Sequence, residues 1–210
     1  AEIPLLIAVN AESGANGSFA DGTFVSDPVK LGAANDPRWG YELGRVSGLE
    51  SAAAGCNWSF APVIDILYNW RNPIISKRCF GDDPALVAEY GKGYVTGAAE
   101  HGVVCAAKHF PGDGVDERDH HLSSAVNDMS VEQWDATFGH VYRELIAAGL
   151  QSIMVGHIML PAYQKHFSPD ADVADLMPAS LSYELTTQLL RDVLGFNGLT
   201  LTDASHMVGL

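Results

Sequence analysis

A chain of 210 residues can bury one sizeable core, and 47% hydrophobic with 18% charged residues excludes a disordered chain or a coiled coil. Twelve basic against 26 acidic residues leave a net charge of −14, which excludes the basic face that a nucleic acid requires. No apolar run approaches the ~18 residues of a membrane span.

Residues 4–10 form the first predicted strand, a mostly apolar run that ends in Asn10 and Glu12. A long loop is expected over 14–38, which is rich in Gly, Asn, Asp and Ser. A second strand is expected over 58–65, ending at Asp65. Asp83 and Pro84 then supply an N-cap and a first-turn proline for a helix with Leu86, Val87, Tyr90, Tyr94 and Ala98 on one face. The third strand covers 103–109, ends in Lys108 and His109, and is broken at once by Pro111 and Gly112. Ser130 and Gln133 make a capping box, followed by a stripe of Trp134, Phe138, Val141, Tyr142 and Leu145. The fourth strand is expected over 152–157. Ser182 opens a third helix with Leu185, Leu189, Val193 and Leu194 inward, and the fifth strand covers 198–203, ending at Asp203.

Gly55, Gly102, Gly149 and Gly195 each stand just before a strand, where a helix ends in a left-handed cap. Strand starts recur every 45–55 residues or so, the repeat of βα units with long loops. The polar residues gather at strand C-terminal ends, which converge on one face of a barrel. A doubly wound sheet would instead carry a Gly-rich phosphate loop after an early strand, and none is present. The expectation is an α/β chain, a (β/α)8 TIM-barrel-like fold with about five βα units. Residues 1–210 are then the central part of a single barrel domain, truncated at both ends. Cys56, Cys79 and Cys105 are too few and too scattered for a disulfide framework or a metal knuckle, and Cys56 and Cys105, in or beside apolar runs, point to buried inert thiols. The first residues carry no secretory-signal pattern; a cytoplasmic location is the expectation, with secretion as the alternative because the chain reads as truncated.

Two stretches carry chemistry. In Lys108-His109-Phe110-Pro111-Gly112-Asp113-Gly114, a strand ends in cations and turns into a loop that reaches Asp119-His120-His121. A buried Lys must meet a hydrogen-bonding partner, so polar recognition at a barrel mouth and a solvated loop with an incidental His pair are both open. The apolar strand ending at Asp203 offers either a catalytic carboxylate or the cap of a following helix. A metal-dependent hydrolase would need convergent ligands, whereas His120 and His121 are neighbours that point apart in most loop conformations.

The run Lys108-His109-Phe110-Pro111-Gly112-x-Gly114-x4-Asp119-x-His121 resembles the signature of the β-N-acetylglucosaminidase branch of glycoside hydrolase family 3. Stretches 4–10, 59–65, 78–84, 154–157 and 195–203 resemble other family segments in order. The resemblance implies a retaining glycosidase without metal or cofactor, acting on a carbohydrate that ends in β-linked N-acetylglucosamine. It implies Asp203 as the nucleophile, His121 oriented by Asp119 as the acid/base on a mobile loop, and Arg78, Lys108 and His109 around the sugar, with Asn10 at a position that grips a distal hydroxyl. His157 and Glu12 are further candidates to line the site, with a satisfied structural His at a strand end as the equal alternative for His157. A β-glucosidase, a phosphate-using variant and a degenerate carbohydrate-binding barrel are the alternatives. Three positions depart from the family pattern: Asn10 stands for an Asp, Asp113 for a His, and His120 for a Ser or Thr. The last leaves two candidate imidazoles, of which spacing favours His121. His101, His140 and His166 are expected on helices or the surface.

Overall fold

The computed structural model describes residue 3 and residues 5–210; Pro4, the predicted start of the first strand, lies outside them. Five parallel strands form one sheet: β1 (Ala8–Val9), β2 (Trp58–Ser59), β3 (Val104–Phe110), β5 (Ser152–Val155) and β7 (Leu199–Thr202). Their order across the sheet is β1-β2-β3-β5-β7, the same as along the chain. There is no switch point of the kind that marks an open doubly wound sheet, and the strands advance as the staves of a barrel do. A separate parallel pair, β4 (Ala125–Val126) with β6 (Ile158–Met159), sits in the loops after β3 and β5.

Every predicted strand is present in its place, though most are shorter than expected. In the second, Pro62 has no N–H to donate, so the ladder breaks after Ser59 and resumes only as a bridge from Val63 to Lys108. The first is paired by strand bonds only at Ala8 and Val9. Its preceding turn is held by the Asn57 side chain, which accepts from Ile7 N–H and donates to Leu5 O.

Helix α3 (Pro84–Ala99) starts as expected, with the Asp83 carboxylate accepting from Ala85 and Leu86 N–H, and it buries Val87, Tyr90, Tyr94 and Ala98. The capping box at Ser130 and Gln133 opens α4 (Val131–Ala136), and α5 (Phe138–Ala147) follows after a break at Thr137. The predicted stripe from Trp134 to Leu145 is wholly buried despite that break. The third predicted helix is a π-type helix over Glu184–Val193, with Ser182 Oγ accepting from Leu185 N–H. Leu185, Leu189 and Leu194 face inward, but Val193 is half exposed and Leu190 is buried instead. The four capping glycines all have left-handed φ, between 69° and 91°.

Three helices were not expected. The 14–38 stretch contains α1 (Pro28–Ala33), entered at Asp27-Pro28 and packed through Leu31 against the core. Helix α2 (Arg38–Ala53) has glycine at 40, 44 and 48, four apart, on the face that meets the backbone of Tyr90, Tyr94 and Ala98 in α3. A Cβ at any of the three would collide with that backbone, so close approach replaces the apolar stripe of an ordinary helix. Helix α6 (Pro161–Phe167) completes the set. Among the described residues no helix is long and apolar enough to cross a membrane. Cys79 and Cys105 are buried, with burial pushing their thiols upward, Cys79 to about 11. Cys56 is only partly buried, contrary to expectation, because it follows the Gly55 cap at the sheet's N-terminal rim.

Candidate active site

The C-terminal ends of the sheet strands open onto a cavity of about 500 Å³, lined in part by Asn10, Glu12, Arg78, Lys108, His109, His121 and Asp203. The segment after β1 is fixed from behind. The Ala11 carbonyl accepts from Tyr94 Oη at 2.7 Å and from Ser47 Oγ at 3.1 Å, so α3 and α2 together set where Asn10 and Glu12 project. Glu12, a candidate to line the site that sequence reasoning gave no defined role, is the anchor of this wall. Its carboxylate takes Arg78 in two-pronged fashion, at 2.8 Å to each oxygen, and Lys108 Nζ at 2.7 Å. Burial alone would raise Glu12, but the two cations overcome it and hold the carboxyl well below the usual range. Lys108 is 4% exposed and needs this partner. Asn10 gives it only a 3.4 Å contact from Oδ1. The signal was present in the sequence: Arg78 and Lys108 need a counter-charge, neutral Asn10 cannot supply one, and Glu12 is two residues on.

At and beneath the cavity floor lies a buried set of four. His109 Nδ1 donates to Asp65 Oδ2 at 2.6 Å, and Asp65 Oδ1 accepts from the amides of His109 and Asp113 at 3.1 and 2.8 Å. Burial opposes charge on Asp65, yet the His109 ring and the two amides hold it ionised, below its ordinary value. Asp113 fares differently. Burial, then repulsion from Asp65, pushes it up to about 6, although Gly114 N–H and Asn72 Nδ2 donate to its Oδ1. Its other oxygen has no hydrogen bond and lies 3.9 Å from His120 Nε2. His120 is fully buried, and burial followed by the nearby His109 drops it to about 3, so it is neutral near pH 7.

The outer wall carries the remaining pair. His121 Nδ1 meets Asp119 Oδ1 at 2.7 Å, and the same oxygen accepts the His121 amide at 2.8 Å. Burial is outweighed by these His121 donors, and Asp119 lies below its ordinary value. The 119–123 turn is tied to the segment after β7, where Val208 and Gly209 N–H donate to His121 O and His120 O. Asp203, at the end of β7, accepts its own strand-end amide from Ala204 at 2.8 Å. Burial opposes its ionisation, but the His109 ring and that amide keep it below its ordinary value. Asp203 and His121 face one cavity, whereas the adjacent His120 turns inward. His120 thus diverges from His121 as expected, yet it converges with His109 and Asp203.

His157 does not line the cavity; the structure bears out the alternative, a satisfied structural histidine at a strand end. That ring is buried, with Nδ1 on Ser180 Oγ at 2.7 Å and Nε2 on Ala204 O at 3.1 Å. It anchors the residue that follows Asp203 and so acts from behind. His140 lies on α5 and His166 is exposed on α6, as expected, while His101 sits in the turn after α3.

The sequence model described as the glycosyl hydrolase family 3 N terminal domain matches residues 1–210. The chain is 49% identical over 210 residues to a beta-N-acetylglucosaminidase/beta-glucosidase of Cellulomonas fimi, covering all of this chain and 37% of that protein. A solved structure of the beta-glucoside phosphorylase BglX bound to 2FGlc is 42% identical with a TM-score of 0.94, across 99% of this chain and 38% of that one. A family 3 beta-N-acetylglucosaminidase from Paenibacillus sp. str. FPU-7 is 35% identical with a TM-score of 0.88, across 98% and 38%. The chain therefore spans a little over a third of the length of these relatives.

Proposed function

This chain belongs to glycosyl hydrolase family 3, and from that premise we propose that it carries the catalytic centre of a retaining glycosidase releasing terminal β-linked N-acetylglucosamine. The observation that carries the reading is one cavity faced by both the Asp203 carboxylate and an imidazole backed by a carboxylate. Asp203 attacks the anomeric carbon while His121, protonated, gives its proton to the departing glycosidic oxygen. The glycosyl–Asp203 ester is then opened by water, whose proton returns to His121. Asp119 fixes the ring so that Nδ1–H points to it and Nε2 serves the substrate. Glu12, held ionised, accepts from sugar hydroxyls, and Arg78 and Lys108 donate to them.

Asp203→Asn keeps the shape and removes the nucleophile, so turnover by the full-length protein falls by about three or more orders of magnitude. A 2-fluoro sugar inactivator labels the peptide containing Asp203; a label on Asp65 or Asp119 would overturn the assignment.

A second reading keeps the residues and changes the acceptor to phosphate. An imidazole in place of a carboxylate acid/base repels that anion less, and a 42% identical relative is a beta-glucoside phosphorylase. Phosphorus NMR of the products separates the two: a sugar 1-phosphate appears for transfer to phosphate, and free sugar for hydrolysis. Parallel assays on nitrophenyl N-acetylglucosaminide and nitrophenyl glucoside identify the sugar.

A further inference from the structure

His120 is fully buried, and neither of its ring nitrogens has a hydrogen-bond partner among the described residues. Its ring packs edge-on against His109, with centroids 5.4 Å apart, and Asp113 at 3.9 Å is too distant to bond it. A buried polar ring left in this state calls for a ligand or another explanation. One ligand atom each from His120, His109 and Asp203 lie within 4.8 Å of one another.

We infer that these three side chains form a site for a zinc-class divalent cation, which occludes the sugar site by engaging Asp203. Two imidazoles and a carboxylate are the donor set of three-ligand zinc sites, with the fourth position left to water. His109 is already prepared: Asp65 accepts its Nδ1–H at 2.6 Å, so the lone pair of Nε2 faces away from that bond. This is the carboxylate–histidine support that orients metal-bound imidazoles. Asp203 brings a charge, and Asp65 and Asp113 add acidity beside it, while the cations Lys108 and Arg78 are both engaged by Glu12. Ligand atoms around tetrahedral zinc sit about 3.3–3.5 Å apart, so the widest separation must close by at most about 1.4 Å. The 119–123 turn that carries His120 can supply this closure together with the chain beyond β7. Nitrogen donors favour Zn²⁺, Co²⁺, Ni²⁺ and Cu²⁺ over Mg²⁺ and Ca²⁺. The cation takes part in no step of glycoside cleavage. It blocks that cleavage, and only this blocking rests on Asp203 being the nucleophile.

The test uses the full-length protein in a non-chelating buffer. Zinc chloride is titrated by calorimetry, and Co²⁺ by visible absorption, into the parent, His120→Gln and Asp203→Asn. The expected result is one ion per chain, bound at least about tenfold more weakly by both variants, with Mg²⁺ giving no heat. Zn²⁺ raises the parent's Tm but not that of the variants, and it protects the Asp203 peptide from a 2-fluoro sugar inactivator. Should His120→Gln lose its cooperative melt, Asp203→Asn decides by the same titration. Absence of saturable one-to-one binding by the parent, or unchanged affinity in the folded variants, overturns the site. Failure of the inactivator to label Asp203 in metal-free protein would instead sink the nucleophile reading and leave the titration to judge the metal.

Discussion

Two aspartate–histidine pairs stand at the mouth of this half-barrel with nearly the same bond length, 2.6 Å for Asp65–His109 and 2.7 Å for Asp119–His121. Their settings are opposite. The first joins residues 44 apart in sequence, in the segment after β2 and at the end of β3, with side chains 0% and 3% exposed. The second closes a turn between residues two apart, and its side chains are 22% and 46% exposed. A buried pair that ties two strands together holds its charge and its shape. An exposed pair can pass a proton to a leaving group and recover it from water. Distance alone does not separate the buried pair from the proposed acid/base; burial and chain connectivity do.

The largest effect should come from the buried pair. Asp65→Asn leaves His109 and two amides facing a weaker acceptor in a dry site, and breaking such a pair typically costs about 3–5 kcal/mol. Denaturant unfolding of the full-length protein measures it. A loss under about 1 kcal/mol would erase the proposed division between the pairs.

The exposed pair should behave in reverse, with stability changing by no more than about 0.5 kcal/mol. His121→Ala should slow glycosylation by a disaccharide about 10²–10⁴-fold, the usual worth of a positioned acid. A nitrophenyl glycoside, which leaves without protonation, should suffer far less. Asp119→Asn keeps the ring and weakens its orientation, so about tenfold is expected. Single-turnover rates plotted against leaving-group pKa check both, and a slope equal to the parent's in His121→Ala would move the acid elsewhere. His120 faces away from the cavity, so His120→Ala should leave that slope unchanged.

Much of this arrangement is legible in residue order. Strand-end polar residues are read from where each apolar run stops, and the Asp83-Pro84 helix start and the Ser130–Gln133 box are local signals that local bonding fulfils. What was not legible depends on partners far along the chain. Helix α2 has no apolar stripe because Gly40, Gly44 and Gly48 are shaped to the backbone of α3, which a reading of one helix cannot anticipate. His157 sits at a strand end like the site residues, but Ser180 and Ala204 claim both its nitrogens. Burial of His120 beside His109 depends on how the 119–123 turn folds back, and no spacing rule encodes that.

The smallest predicted effect is the sharpest on the buried side, because its sign runs against intuition. Asp113 is raised to about 6 from an ordinary value of 3.8, first by burial and then by Asp65. Between those pH values the folded chain binds more protons at this position than the unfolded chain. Its ionisation therefore costs stability: nothing below about pH 4, and in full above about pH 6. Asp113→Asn removes that cost. The amide oxygen can still accept from Gly114 and Asn72, and the new N–H faces His120 Nε2, which has no hydrogen bond. The variant should gain about 1–2 kcal/mol at pH 7 and nothing at pH 4. Thermal melts of parent and variant across that interval measure the difference. A gain that stays constant with pH would mean that packing, and not the buried charge, is what Asp113 opposes, and the buried set would then be no more charge-bearing than the exposed pair.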